Sequence, residues 1–568
     1  MLSNKNNFSF IAAGYESSID TTLNELTDQK IVERIWNKDY TVWSESPTEI
    51  TNRLGWLHSP EHSKAALAEI NKLVEEIRTE NFENALLLGM GGSSLAPEVF
   101  QNIFGYKDGY LKLSVLDSTD PGAVLNMTKK FDPAKTLYIV STKSGGTVET
   151  ISFMKYFYNF VLGKLGAEKV AKHFIAITDP GSGLQQMAED LKFRKIFLND
   201  PNIGGRYSAL SLFGIVPAAL VGIDAEKILE RAESAGVESK NENSASGILG
   251  AMMGTLANVN VDKVTFITSP QINPFGAWVE QLIAESTGKI GKGILPVESE
   301  TVESPEFYSN DRLFVYIKLK NDSIFDSKVK KLKAAKFPVI EIVWNDLYDL
   351  GAEYMRWELA TAIASWKIKI QPFDQPNVEA AKVLAREMLK AYKEEGKLPS
   401  LNPVVKENEI TAYGDAAGSN IKEAFNKFLE VLADKRSVPL KYLCLQAYLT
   451  PDEKTTEALQ ELRTNIQKKY KTTTTFGYGP RFLHSTGQLH KGDAGNGLFI
   501  QFTSGIKEDA AIPDEAGKTE SSISFGVLIS AQSLGDYHAQ VDNKRKVIRF
   551  DLGNDVLGGI KKLTGFIN

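Results

Sequence analysis

Cysteine is nearly absent: Cys444 stands alone in 568 residues. One thiol cannot close an internal disulfide, which excludes the disulfide-framed secreted domains. Long apolar runs are missing too. The longest, Leu212 to Ile223, contains Pro217 and is too short to span a bilayer. The opening MLSNKNNFSFIAAGYESS has no basic stretch leading into an apolar one, so it does not read as a signal peptide. These absences point to the cytoplasm and away from a membrane. No excess of positive charge exists either: 65 Lys and Arg face 71 Asp and Glu, for a net charge of −6. That argues against non-specific binding to nucleic acid or to an anionic membrane surface. No Walker A loop, zinc set, Ser-His-Asp order or helix-turn-helix stands out, and no G-x-G-x-x-G spacing. No metal and no organic cofactor is expected.

What is present is ordinary globular material, 42% hydrophobic and 24% charged, enough for roughly three or four domains. Residues 1–60 read as a polar, helical leader. From 61 short apolar strands alternate with helices. Helix 61–79 leads into a strand at 85–88, and further strands follow at 113–116, 136–140 and 174–177. The pattern restarts near 237, with strands at 264–267, 313–317 and 339–343 and helices at 275–286, 323–336 and 351–368. Buried strands alternating with helices indicate parallel sheets covered on both faces. The expected fold is α/β: two doubly wound parallel-sheet units, 61–236 and 237–400, and a smaller C-terminal α/β region, 401–568. A polar loop at 504–521 is expected to be mobile.

Six segments could carry chemistry. Gly89-Met90-Gly91-Gly92-Ser93-Ser94 joins a strand to a helix, where glycines allow close backbone approach and the helix start offers free N–H groups to an anion. A tight turn is the plainer alternative. Ser141-Thr142-Lys143-Ser144-Gly145-Gly146-Thr147 follows another strand; its hydroxyls, amides and lysine suit phosphate oxygens, the plainer reading being a capped helix start. In Gly204-Gly205-Arg206, Arg206 could hold an enediolate oxygen or simply form a surface ion pair. Gln281 and Glu285 stand at i and i+4 on one helical face, with apolar or small neighbours that would partly desolvate Glu285 and favour general-base work. Gln375 opens a turn into a helix that carries Lys382, a position more often facing solvent. His484 and His490 lie in a glycine-rich loop, and histidine is the natural proton shuttle near neutrality. On residues alone the reading stops at a two-unit phosphate-binding protein with a candidate carboxylate base.

Together, in this order, the segments resemble the phosphoglucose isomerase family, built from two sugar isomerase (SIS) domains. The resemblance covers about 85–400. It implies an aldose–ketose isomerase interconverting glucose 6-phosphate and fructose 6-phosphate through a cis-enediolate, with a hexose 6-phosphate as partner. Ser93 beside Gly92, with Thr142, Lys143, Ser144 and Thr147, is implied at the phosphate, although Gly146 replaces the family's usual threonine. Q-x-x-x-E-S-T-G-K is similar to the family's Q-x-x-x-E-S-N-G-K, implying Glu285 as the proton-transferring base and Gln281 as a substrate ligand. Gly205 and Arg206 are implied at the enediolate, and Gln375 and Lys382 match a Gln and Lys pair. The family's ring-opening histidine precedes the FDQ segment, but 286–374 holds none. HSTGQLHKG resembles the isomerase portion of fused transaldolase–isomerase proteins, and His484 fits best. The chain reads as that isomerase portion only. The family also implies a homodimer. Two alternatives stay open: an isomerase for a related hexose phosphate, and a non-catalytic SIS sugar-phosphate-binding module.

Overall fold

In the computed structural model the described residues are 7–434, 436 and 439–567. The strands, in chain order, are β1 (Phe8–Ile11), β2 (Asn84–Gly89), β3 (Lys112–Leu116), β4 (Thr136–Ser141), β5 (Phe174–Thr178), β6 (Lys195–Leu198), β7 (Lys263–Thr268), β8 (Leu295–Val297), β9 (Arg312–Leu319), β10 (Val339–Trp344), β11 (Val405–Glu407), β12 (Ile410–Gly414), β13 (Tyr442–Tyr448), β14 (Thr473–Tyr478), β15 (Gly497–Thr503), β16 (Ala511–Ile512), β17 (Ile523–Ser524) and β18 (Lys546–Asp551).

They form three larger sheets. The first runs β3-β2-β4-β5-β6, all parallel. Leu86, Leu87, Leu88, Ile139 and Val140 are wholly buried, as strands covered by helices on both faces must be. The second runs β1-β10-β9-β7-β8, parallel except for β1. The third runs β11-β12-β18-β15-β13-β14, with β13, β14, β15 and β18 parallel. Each parallel set is doubly wound: the chain leaves its first strand to one side and later returns to the other. Ligand crevices form at the carboxyl ends of strands flanking such a reversal. In the first sheet that place lies between β2 and β4.

The structure departs from the sequence reading in three places. The leader is helical over Glu16–Asp28 and Ile31–Trp36, yet it also gives β1, an edge strand antiparallel to β10. Its Ile19, Leu23 and Leu26 share one core with residues of the first and second sheets. The helix Pro376–Glu395 packs on the C-terminal helix Phe525–Asp542. The 504–521 segment is not loose. Lys155 Nζ donates to Asp514 O at 2.6 Å, and Asn159 reaches Lys518 O and Gly517 N at 2.5 and 2.6 Å, so the hairpin β16–β17 lies against the helix Val148–Leu165. No helix among the described residues is long and apolar enough to cross a membrane.

Candidate active site

A cavity of about 540 Å³ opens at the carboxyl ends of β2 and β4, a size suited to a small metabolite. All thirteen residues singled out above line it: Gly92 and Ser93 from the turn after β2; Thr142, Lys143, Ser144 and Thr147 after β4; Gly205 and Arg206; Gln281 and Glu285; Gln375 and Lys382; and His484. Their positions differ in detail from the simplest expectation. Gly92 is glycine because another backbone comes close: a Cβ there would lie 1.9 Å from Gly205 O. Thr147 sits at the N-cap of helix Val148–Leu165 but does not cap it; its hydroxyl lies 3.0 Å from that of Thr142. Lys143 is already paired with the Asp179 carboxylate and donates to Pro201 O at 2.8 Å, which leaves the hydroxyls and amides of this loop as the groups free to meet a phosphate. Lys382 stands at the rim with its side chain 46% exposed, 3.9 Å from Glu379.

At the other end of the cavity, helix Phe275–Thr287 presents Gln281 and Glu285 on one face. Arg206 Nη1 lies 2.8 Å from Glu285 Oε1. The guanidinium is buried and aimed by the segment before helix Pro376–Glu395: Nη2 donates to Pro372 O and Asp374 O at 2.8 and 2.9 Å, and Nη1 to Gln375 Oε1 at 3.1 Å. Gln281 Nε2 donates to Glu285 Oε2 at 3.1 Å and to His484 O at 2.7 Å. Glu285, Arg206 and the histidine loop are thus tied together by side-chain amides. A carboxylate has about four acceptor sites, so both Glu285 oxygens keep capacity for a proton.

Two neighbours escaped the sequence reading. Glu149 is buried in the first turn of its helix, where an acid reads as a mere dipole complement. Its Oε1 lies 3.1 Å from His484 Nε2 and accepts from Gln532 Nε2 at 2.7 Å; Gln532 Oε1 in turn accepts from Thr119 Oγ1 at 2.6 Å. Burial works against the Glu149 charge, but the charge and hydrogen bond of His484 outweigh it, so its carboxyl titrates below the usual value. The second is Lys289, four residues after Glu285. Its buried ammonium donates to Gln371 O, Asp374 O and Asp374 Oδ1 at 2.7, 2.6 and 2.5 Å, bracing the same segment that grips Arg206. Burial and the Arg206 charge push it down to about 7, against the pull of Asp374. A glycine-lysine pair at a helix end signals a C-terminal cap and nothing more, which is why it went unnoticed.

Residues 60–302 match the phosphoglucose isomerase family model. A glucose-6-phosphate isomerase of Carboxydothermus hydrogenoformans is 32% identical over 250 residues, covering 42% of this chain and 53% of that one. One from Mycoplasmopsis pulmonis is 28% identical over 381 residues, covering 58% and 88%. This chain therefore spans about half the length of the first relative and most of the second. Among solved structures, a glucose-6-phosphate isomerase from Chlamydia trachomatis superposes with a TM-score of 0.57 at 17% identity, covering 66% of this chain and 86% of that one, a likeness of fold. The stretch that matches the phosphoglucose isomerase family model, 60–302, holds the glycine loop, the hydroxyl loop, Arg206 and Glu285.

Proposed function

We propose that this protein is an aldose–ketose isomerase that interconverts glucose 6-phosphate and fructose 6-phosphate through a cis-enediolate. The observation that carries the reading is the Glu285–Arg206 pair, 2.8 Å apart, sharing one cavity with two hydroxyl-rich loops. An aldose–ketose shift needs one base and one stabiliser of the oxyanion, and a distant phosphate grip to fix the register.

The phosphate docks on Ser144, Thr147 and Thr142 with the turn at Gly92 and Ser93. His484 Nε2 is held by Glu149, so its Nδ1 is the nitrogen left for the sugar. The protonated imidazole gives its Nδ1 proton to the ring oxygen, the bond from C1 to that oxygen breaks, and Nδ1 takes back the proton released by the C1 hydroxyl, with Lys382 assisting from the rim. Glu285 then removes the C2 proton of the aldose. Charge builds on the C1 oxygen beside the Arg206 guanidinium, the proton of the C2 hydroxyl passes to that oxygen, and Glu285 returns its proton to C1 as the C2 carbonyl forms, giving the ketose. Arg206 is fixed in advance by three carbonyl oxygens, so it need not reorganise as the charge develops.

The test is Glu285→Gln in a coupled assay with fructose 6-phosphate. General acid–base catalysis contributes about 10²- to 10⁴-fold, so kcat should fall by that much while KM changes little. A variant that kept near-wild-type turnover would remove Glu285 from the role. Parallel assays with mannose 6-phosphate and an amino-sugar phosphate define the substrate.

A further inference from the structure

A second cavity, about 650 Å³, lies between the first unit and the C-terminal region, away from Glu285 and its neighbours. It opens beyond the carboxyl ends of β13 and β15. These strands are adjacent, and the chain leaves them in opposite directions, β13 toward β14 and β15 toward β18. That is the reversal at which doubly wound sheets form their crevice. The helices Glu453–Tyr470 and Val556–Gly565 both begin at its wall.

The charges around it are unevenly satisfied. Every acid on the wall has an internal partner. Asp452 and Asp555 cap the two helices, accepting from Thr455 N and Gly558 N at 3.0 and 2.9 Å. Asp551 accepts from Gly553 N and Thr503 Oγ1 at 2.9 and 3.2 Å, and Glu508 pairs with Lys129 at 3.2 Å. Asp120 accepts from Ala123 N and Thr450 Oγ1 at 3.0 and 2.7 Å. The cations do not have such partners. Arg549, 9% exposed, donates only to the neutral Gln501 Oε1 and Ser533 Oγ, at 2.7 and 3.3 Å. Among the described residues neither it nor the exposed Lys454 and Lys507 forms a salt bridge. The charge of Asp551 acts on this guanidinium from a distance but makes no ion pair with it; a buried guanidinium with no carboxylate in contact is costly, and an anion entering the cavity would supply that contact. The hydroxyls of Ser504 and Ser530 and the amide of Asn126 also line it with no hydrogen-bond partner of their own among the described residues.

We propose that this crevice is a second ligand site, for a phosphate monoester that also carries vicinal hydroxyls, either a sugar phosphate or a ribonucleotide. The phosphate sits against Arg549 with Lys454 and Lys507 above it, and the diol meets Asp120, Ser530 and Asn126. The site does not depend on the isomerase reading.

The experiment is calorimetric titration of the full chain carrying Ser144→Ala and Thr147→Ala, which weaken the candidate active-site phosphate loop. Ribose 5-phosphate, AMP and inorganic phosphate are the probes. Saturable one-site binding of either ester is expected, at least tenfold tighter than inorganic phosphate. Binding of both esters marks the sugar phosphate as the recognised part; binding of AMP alone marks a nucleotide. Arg549→Gln should weaken it at least tenfold, and Lys454→Glu with Lys507→Glu, both at the exposed rim, at least threefold. The rim variant keeps the test decisive should Arg549→Gln fold poorly. No ester binding at millimolar concentration, inorganic phosphate binding as tightly, or ester affinity unmoved by the rim variant would each overturn the proposal.

Discussion

Replacing Glu149 by glutamine isolates the contribution of one buried charge. The carboxylate accepts from His484 and from Gln532 through the same oxygen, at 3.1 and 2.7 Å, and is 5% exposed. Glutamine keeps the shape. Its amide oxygen, placed where Oε1 stands, can still accept from both neighbours. What is lost is the charge. A hydrogen bond to an ionised group contributes about 1.5–3 kcal/mol, which at 1.36 kcal/mol per decade is roughly 10- to 150-fold in rate. The loss should appear in kcat for ring-closed fructose 6-phosphate. The inhibition constant of an open-chain hexonate 6-phosphate, which needs no ring opening, should stay within about threefold, a bound well below the tenfold minimum of the charge effect. There is a pH signature as well. A carboxyl held below its ordinary value stabilises the fold above about pH 4.3, and that contribution is lost as the pH falls through the folded-state value. The stability gap between wild type and variant should therefore close in acid. Turnover within twofold of wild type, or a loss confined to affinity, would refute the reasoning.

Three further outcomes are expected. Gly92→Ala puts a Cβ 1.9 Å from Gly205 O, a backbone atom that cannot swing aside, whereas Gly205→Ala meets nothing within 4 Å; the first should cost about 3 kcal/mol in a denaturant melt and most turnover, the second under about 1 kcal/mol. Glu358 is wholly buried with neither oxygen bonded among the described residues, and burial pushes its carboxyl well up. The folded state then holds a proton that the unfolded chain releases above about pH 4.3, so stability falls as the pH rises past that point. Glu358→Gln should gain more stability over wild type at pH 8 than at pH 5; equal gains at the two pH values would count against this. For Lys289, pushed down to about 7, the unfolded chain binds the extra proton between about pH 7 and 10.4, so wild-type stability rises across that window. Urea melts of Lys289→Met should lack the rise, and a constant difference from wild type would contradict the placement of its charge.

That the glycine and hydroxyl loops would meet in one cavity was legible because glycines and hydroxyls crowd at two strand ends, and that Glu285 would join them because its spacing from Gln281 put two polar groups on an apolar face. What stayed hidden was whatever works through the chain's return path. Glu149 looks like any first-turn acid until a histidine more than three hundred residues later is placed against it. Lys289 shows its purpose only when 371–374 folds back onto it. Strands were missed where their composition is atypical: β14 opens on three threonines, polar in sequence yet buried at Thr473, Thr474 and Thr475, and β8 and β6 are short. The leader strand β1 was masked by the helices that follow it. Gly92 was read as a place where the backbone meets a ligand closely; what the structure sets against it is the Gly205 backbone.

The position of the histidine in the chain matters less than its anchors. The turn Arg481–His484 lies far from the other site residues in sequence, in the region after β14. Arg481 reaches back to Glu98 and to Asp117, the latter at 3.0 Å, fastening the turn to the first unit. Gln281 holds His484 O, and Gln488 accepts from Asn377 N at 2.9 Å while donating to Gly288 O at 2.8 Å, fastening it to the second. A Cβ on Gly288 would lie 2.3 Å from Leu489 Cα, and one on Gly492 2.3 Å from Gly288 O. The loop thus packs backbone to backbone on the end of the helix that carries Glu285. Side chains alone could not set a ring within hydrogen-bonding reach of Glu149 with this precision, because each long flexible contact loses rotamer freedom on ordering. Backbone contact across two glycines fixes the loop as a body, and the histidine inherits its position from that.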